Sequence, residues 1–264
     1  MTTIPLNFWQ LMIASGLMLA CGALSVALRL GLEKSLAIGT LRTVAQLLLI
    51  GSVLKWVFAV DSAPLLLLLM AGMIAIAAQT AAARAHRTFP GTLWRSFAAL
   101  ALSSVVTTFI VTGVIIGVHP WHRAQYVIPL LGMILGNALT GVSLSLDYLL
   151  DTFSERRAEI ENDLALGATS WEAARGPVAE AVRRGMIPQI NTMNVVGLVS
   201  LPGMMTGQIL AGADPLQAVK YQIVVMFMVT ASATFGCVLI ALLIYDRVFT
   251  PKHQLAAHLI EKRA

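Results

Sequence analysis

The chain has 264 residues, 58% of them hydrophobic and only 12% charged, with a formal net charge of +5. Its apolar residues gather into long runs separated by short charged stretches, which is the make-up of a polytopic membrane protein and excludes a water-soluble globular domain. The basic residues lie between those runs without interleaved accessible aromatics, so the charge reads as membrane topology and no nucleic-acid partner is expected.

The first apolar run, Phe8 to Leu28, precedes the first basic residue, Arg29. It lacks the positively charged start of a cleavable signal peptide and is expected to persist as a membrane helix. Further spans are expected at Leu36 to Phe58, Pro64 to Ala83, Phe97 to Val118 and Tyr126 to Leu149. Each has about the twenty residues needed to cross roughly 30 Å of hydrocarbon. A charged stretch of helical period follows, from Asp147 to Arg184. A sixth span, Met186 to Ala211, is interrupted by Pro188 and Pro202, and a seventh runs from Ala218 to Tyr245. The fold class is therefore an all-α integral membrane protein of about seven transmembrane helices, forming one domain over residues 1–264.

Placing the amino terminus outside puts Arg29, Lys34, Arg84, Arg87, Arg95, residues 156–184 and the basic tail on the cytoplasmic side. Only Lys55, Arg123 and Lys220 then fall near the outer face. By the positive-inside rule the amino terminus is expected outside and the carboxyl terminus in the cytoplasm, in a cell inner (plasma) membrane.

The polar stretch of about residues 150–185 carries the clearest local signals. Gly167 stops or bends a solvated helix, and Thr169-Ser-Trp171-Glu172 is a capping box, in which a hydroxyl and a carboxylate satisfy each other's free backbone amides. Gly176-Pro177 is expected to break the second helix, leaving a short helix between two turns. No Gly-x-x-x-x-Gly-Lys-[Ser/Thr] phosphate loop occurs, so ATP would have to be held elsewhere.

Few ionisable groups lie at membrane depth. Arg42, one turn before Gln46, is the main candidate for a translocation path, because an intramembrane charge usually faces a bundle interior. The amides Gln79, Asn137, Asn191, Asn194, Gln208 and Gln222 serve equally as path lining or as interhelical hydrogen bonds. Met204 and Met205 are read as packing or wall, since thioethers suit softer metals than iron. No cluster of His, Asp, Glu or Cys with ligand spacing is evident, so the metal ligands are unassigned, and Cys21 and Cys237 are expected to be buried thiols. His119, His122 and Trp121 read as an interfacial anchor. The pairs Gly113/Gly117, Gly132/Gly136 and Gly203/Gly207 predict close helix approach. Pro202-Gly203 is the expected gating hinge.

The segment Glu161-Asn-Asp163-Leu-Ala-Leu166-Gly167-Ala168-Thr169-Ser-Trp171-Glu172 resembles the ATPase-docking loop of ABC-transporter permeases, with Asn162 and Asp163 standing where that pattern has alanines. Three further stretches, Val127 to Asn137, Leu166 to Thr169 and Gly197 through Ser-Leu-Pro-Gly-Met-Met205 to Gln222, resemble the FetB-type iron-export permease family and the plant aluminium-sensitivity STAR-type permeases. The resemblance implies a permease subunit, not itself an enzyme, in a homodimer with two copies of a separate ABC ATPase. That partner would bind ATP and Mg, and this chain would bind no cofactor. Iron export is the implied activity; another cargo, such as a nucleotide sugar, lipid or other metal, and a gradient-driven secondary transporter stay open.

Overall fold

A computed structural model describes residues 7–60 and 62–263. Among them the chain is almost wholly helical: α1 Phe8–Ala27, α2 Glu33–Val60, α3 Ala63–Arg84, α4 Thr92–Phe109 continued by a π-helical turn Ile110–Ile115, α5 Ala124–Glu155, α6 Arg157–Ala165, α7 Ser170–Val195, α8 Gly203–Leu210 and α9 Pro215–Val248. Two short strands, β1 Arg87–Thr88 and β2 Glu261–Lys262, pair antiparallel. Six helices, α1 to α5 and α9, are long and apolar enough to cross a membrane. The protein is a multi-pass membrane protein, and these helices match the expected spans one to five and seven.

Helix α5 is the central post, packing against α3, α4, α7 and α9. Its buried residues Val127, Leu131, Leu135, Ala138, Val142, Leu146, Leu149 and Phe153 recur every three or four positions, the spacing that keeps one helical face on a core. Small residues set the closest approaches. Ala77, Ala78, Ala81 and Ala82 give α3 a flat buried face. Where α5, α7 and α9 meet, a Cβ added to Gly185 would lie 2.7 Å from the Gly141 carbonyl oxygen and 2.8 Å from Cys237 Sγ. Only a glycine lets backbones meet this closely, so Gly141 and Gly185 fix the crossing.

Helices α1 and α2 form a hairpin tied at its turn, where Ser25 Oγ accepts from the Leu32 amide at 3.0 Å and donates to Glu33 Oε2 at 3.1 Å. Most of its side chains are uncovered, Leu41 and Leu47 among them. In hydrocarbon such exposure costs nothing, because lipid tails are as apolar as leucine.

The segment expected as the sixth span differs. Neither Pro177 nor Pro188 breaks α7, which is a single 26-residue helix. A mid-helix proline forfeits one backbone hydrogen bond and costs about 3 kcal/mol in an isolated helix. Burial of Ala173, Ala174, Val178, Ala181 and Met186 outweighs that loss. The break comes at residues 196–202, where the Gly197 amide closes a turn onto the Ser200 carbonyl at 2.9 Å before α8 starts at Gly203. The short helix at the polar segment is likewise shifted: it is α6, before Gly167, and not a helix between Thr169 and Gly176.

Candidate functional site

The polar elbow between α5 and α7 sits at the end of the bundle where the basic residues collect. Ile160 is buried and pins α6 to the core, while Arg157 Nε donates to Glu161 Oε1 at 2.7 Å on the half-exposed side. Gly167 has φ +98°, a left-handed conformation that ends the helix: the Gly167 amide reaches the Leu164 carbonyl and the Ala168 amide the Asp163 carbonyl, both at 3.1 Å. This turn presents Leu166, 80% exposed, to solvent. Asp163 is exposed, and Ala168 is half-buried beside the turn.

The capping box read from the sequence is present. Thr169 Oγ1 accepts from the Glu172 amide at 3.3 Å, and Glu172 Oε2 accepts from the Thr169 amide at 2.8 Å. The Thr169 backbone amide, and then its hydroxyl, hold the Glu172 carboxyl below its ordinary range. Behind the cap, Ser170 is buried; its hydroxyl lies 2.8 Å from the Tyr245 hydroxyl, and its amide donates to His253 Nδ1 at 3.1 Å. Trp171 meets Tyr245 edge to face at 5.3 Å, Tyr245 stacks near Phe249 at 5.3 Å, and Phe249 meets Phe153 at 5.5 Å. A rigid aromatic chain therefore connects the elbow to both α9 and α5.

The tail closes this end of the bundle. The Arg263 amide donates to the His86 carbonyl at 2.9 Å, beside the β1 to β2 pair. His86 donates its amide to Asp147 Oδ1 at 2.7 Å, and Arg87 Nε donates to Asp151 Oδ1 at 2.8 Å. Ligand atoms of His86, Asp147 and Asp151 lie within 4.8 Å of one another. Both carboxylates are already engaged by N–H donors of residues 86 and 87, which gives the group the character of a clasp between the α3–α4 connection and α5.

At the other end, the amino-terminal turns of α5, the second and third turns of α9 and one face of α8 line a cavity of about 450 Å³. Met204 and Gln208 of α8 face Gln125, Tyr126 and Met133 of α5 and Tyr221 of α9 across it. The side-chain oxygens of Gln208 and of the neighbouring helix-α9 residue Gln222 are buried and accept no hydrogen bond. Met204 also packs on the cluster of Val111, Leu130, Ile134 and Val225.

The remaining candidates are dispersed. Arg42 and Gln46 are exposed on α2, apart from the cavity, and Asn137 is exposed on α5, donating to the Met133 carbonyl at 2.9 Å. Asn191 and Asn194 are exposed at the end of α7 next to the break. Pro202 caps α8, Gly203 is its first residue, and Met205 is half-buried. The predicted glycine pairs do not make the close contacts: an added Cβ at Gly117, Gly136, Gly203 or Gly207 would meet nothing within 4 Å, and at Gly132 it would only touch Met73. Cys237 is buried as expected, whereas Cys21 is exposed. Sequence reasoning passed over Gln125, Tyr126, Tyr245 and His253; Ser170, inside the capping box, and Met133 and Tyr221, inside the Val127 to Asn137 and Gly197 to Gln222 stretches, carried a signal but were not singled out.

Residues 8–249 match the model of a family described as an uncharacterised protein family, UPF0014. The chain is 41% identical over 233 residues to the UPF0014 membrane protein YjkA of Bacillus subtilis, covering 88% of this chain and 91% of that one. It is 34% identical over 235 residues to the probable iron export permease protein FetB of Escherichia coli, covering 89% of each. With the UPF0014 membrane protein STAR2 of Oryza sativa it shares 36% identity over 233 residues, 88% of this chain and 80% of the relative. No solved structure matches it. With nearly its whole helical body aligned to these membrane proteins, the chain belongs to the UPF0014 family.

Proposed function

We propose that this chain is the membrane-spanning subunit of an ABC transporter that exports iron from the cytoplasm, driven by ATP hydrolysis in a separate ATPase. The observation that carries the reading is the α5–α6–α7 elbow: an exposed apolar tip, Leu166, on a turn that is rigidly capped at Thr169 and joined by aromatic contacts to α5 and α9. A surface helix built this way takes up motion of a docked partner and passes it into the bundle. The name of the Escherichia coli relative supplies the cargo.

The proposal includes the topology. The basic elbow and tail lie in the cytoplasm and the amino terminus outside the inner (plasma) membrane. Helix α7 runs antiparallel to α9, since Ser170 meets Tyr245 and Gln189 meets Thr230, and we read α7 and α8 together as a broken sixth crossing that returns the chain to the outer face before α9. Broken backbone at membrane depth is tolerated where it lines a cavity, and α8, which follows the break, lines one through Met204 and Gln208. Two copies of the chain pair with two ATPases, and ATP and Mg stay in the partner. Closure of the ATPases pushes the elbow, and the break at Pro202-Gly203 takes up the change of shape.

The test is radioactive iron uptake into inverted membrane vesicles from cells expressing the chain with its ATPase. Uptake that needs ATP, is blocked by vanadate and disappears when residues 161–172 are deleted is the expected result. ATPase association that survives Gly167→Pro and the deletion, or uptake indifferent to ATP, would overturn the assignment.

A further inference from the structure

The cavity between α5, α8 and α9 has a charge pattern that a bare metal ion does not fit. Among the described residues, no aspartate or glutamate lines it or either of the two neighbouring cavities, which share Gln125 and Tyr221 with it. Those neighbours are lined instead by Arg123 and Lys220. The positive ends of the α5 and α9 dipoles lie at the same end of the bundle. Asp214, in the turn before α9, is committed to capping that helix through the Gln217 amide at 3.1 Å. Any ion pays a desolvation cost in such surroundings, but the nearby positive charges offset it for an anion and add to it for a cation. The cavity's volume of about 450 Å³ has room for a small organic ligand. Small-molecule sites span roughly 300–1,000 Å³.

We infer that this cavity is a binding site for the cargo metal as an anionic hydroxycarboxylate chelate, and not for the bare ion. Gln125 and Gln208 line the cavity, and their side-chain amides donate N–H to the chelate's carboxylates. Tyr126, Tyr221, Met133 and Met204 cover the chelate's apolar edges, and Arg123 and Lys220 balance its charge. The identity of the metal rests on the iron-export reading; the charge preference does not.

The test uses the full chain in lipid nanodiscs, titrated by calorimetry with ferric citrate, with gallium citrate as a redox-inert stand-in, and with manganous ion lacking a chelator. Both chelates should bind, and Gln208→Glu, which adds one negative charge without changing shape, should weaken them about tenfold. Lys220→Gln, at an exposed position that does not threaten folding, should weaken them in the same direction. Binding of the unchelated ion that strengthens in Gln208→Glu, with no chelate binding, overturns the inference. Chelate binding indifferent to both variants, or a cavity filled by co-purified lipid that excludes chelate, overturns it equally. Vesicle transport keeps the two claims apart. Iron export without chelate binding refutes this site alone, and chelate binding without iron export in any form refutes the cargo assignment alone.

Discussion

Replacing Gly185 by alanine tests whether the α5–α7–α9 crossing is as tight as its geometry requires. The new Cβ would lie 2.1 Å from Ser145 Oγ, 2.7 Å from the Gly141 carbonyl oxygen and 2.8 Å from Cys237 Sγ. Ser145 can rotate away, but only by giving up its 3.0 Å hydrogen bond to the Ala181 carbonyl, worth about 1 kcal/mol. The Gly141 oxygen is backbone and moves only if the helices part, and overpacking of this kind costs about 1–3 kcal/mol. The combined loss is about 3 kcal/mol, roughly a hundredfold in the equilibrium between closed and opened crossing. Cys237, fully buried at this point, reports it directly. In a Cys21→Ser background, a thiol-reactive dye should label Cys237 faster in Gly185→Ala, with a lower thermal midpoint. Ser145→Ala should recover part of the loss, and Gly203→Ala, where an added Cβ meets nothing, should behave as the parent. An unchanged labelling rate and midpoint in Gly185→Ala would refute the reasoning.

Thr169→Ala removes the α7 cap and should cost about 1 kcal/mol of local stability, read as faster amide exchange over residues 169–173. The same cap is pH-dependent with a definite sign. Because the folded Glu172 carboxyl is held below its ordinary value of 4.5, its contribution is complete above that pH and is lost as pH falls through the lowered folded value, so protection there, corrected for the intrinsic exchange rate at each pH, should match at pH 7 and 6 and fall only under more acid conditions. His253→Ala frees the Ser170 amide and should loosen the elbow, lowering transport while leaving partner association intact, as measured by co-purification and vesicle uptake. Arg87→Ala breaks the half-buried pair with Asp151; about 1 kcal/mol should be lost, with residues 255–263 becoming more sensitive to protease.

The spans were legible because apolar length is a local, additive property: the expected seventh span, Ala218 to Tyr245, and the observed α9, Pro215–Val248, differ by three residues at either end. The capping box was legible for a similar reason, since donor and acceptor lie within one turn. Pro177 and Pro188 misled because their cost is local while the burial that repays it comes from α5 and α9. The close glycines show the same limit. Gly113/Gly117 and its counterparts carry the helix-packing spacing, yet Gly141 and Gly185, 44 positions apart, do the packing, since only the crossing angle decides which residues meet. In the cavity, Met204 and Gln208 stood out in a proline- and glycine-rich stretch, but Gln125, Tyr126 and Met133 join them only through the pairing of α5 with α8 and α9. Ser170 meets Tyr245 and His253 across 75 and 83 residues, and nothing in the intervening sequence announces it.

That last contact has a consequence for how the protein is made. The elbow between α6 and α7 leaves the ribosome well before Tyr245 and His253, and the α3–α4 connection long before Arg263. During synthesis both stand open until residues 245–263 arrive. A nascent chain stalled before residue 245 would carry the capped turn at Thr169 but none of the contacts from Tyr245 and His253 that hold it, so the elbow is fastened only after the last helix has been made.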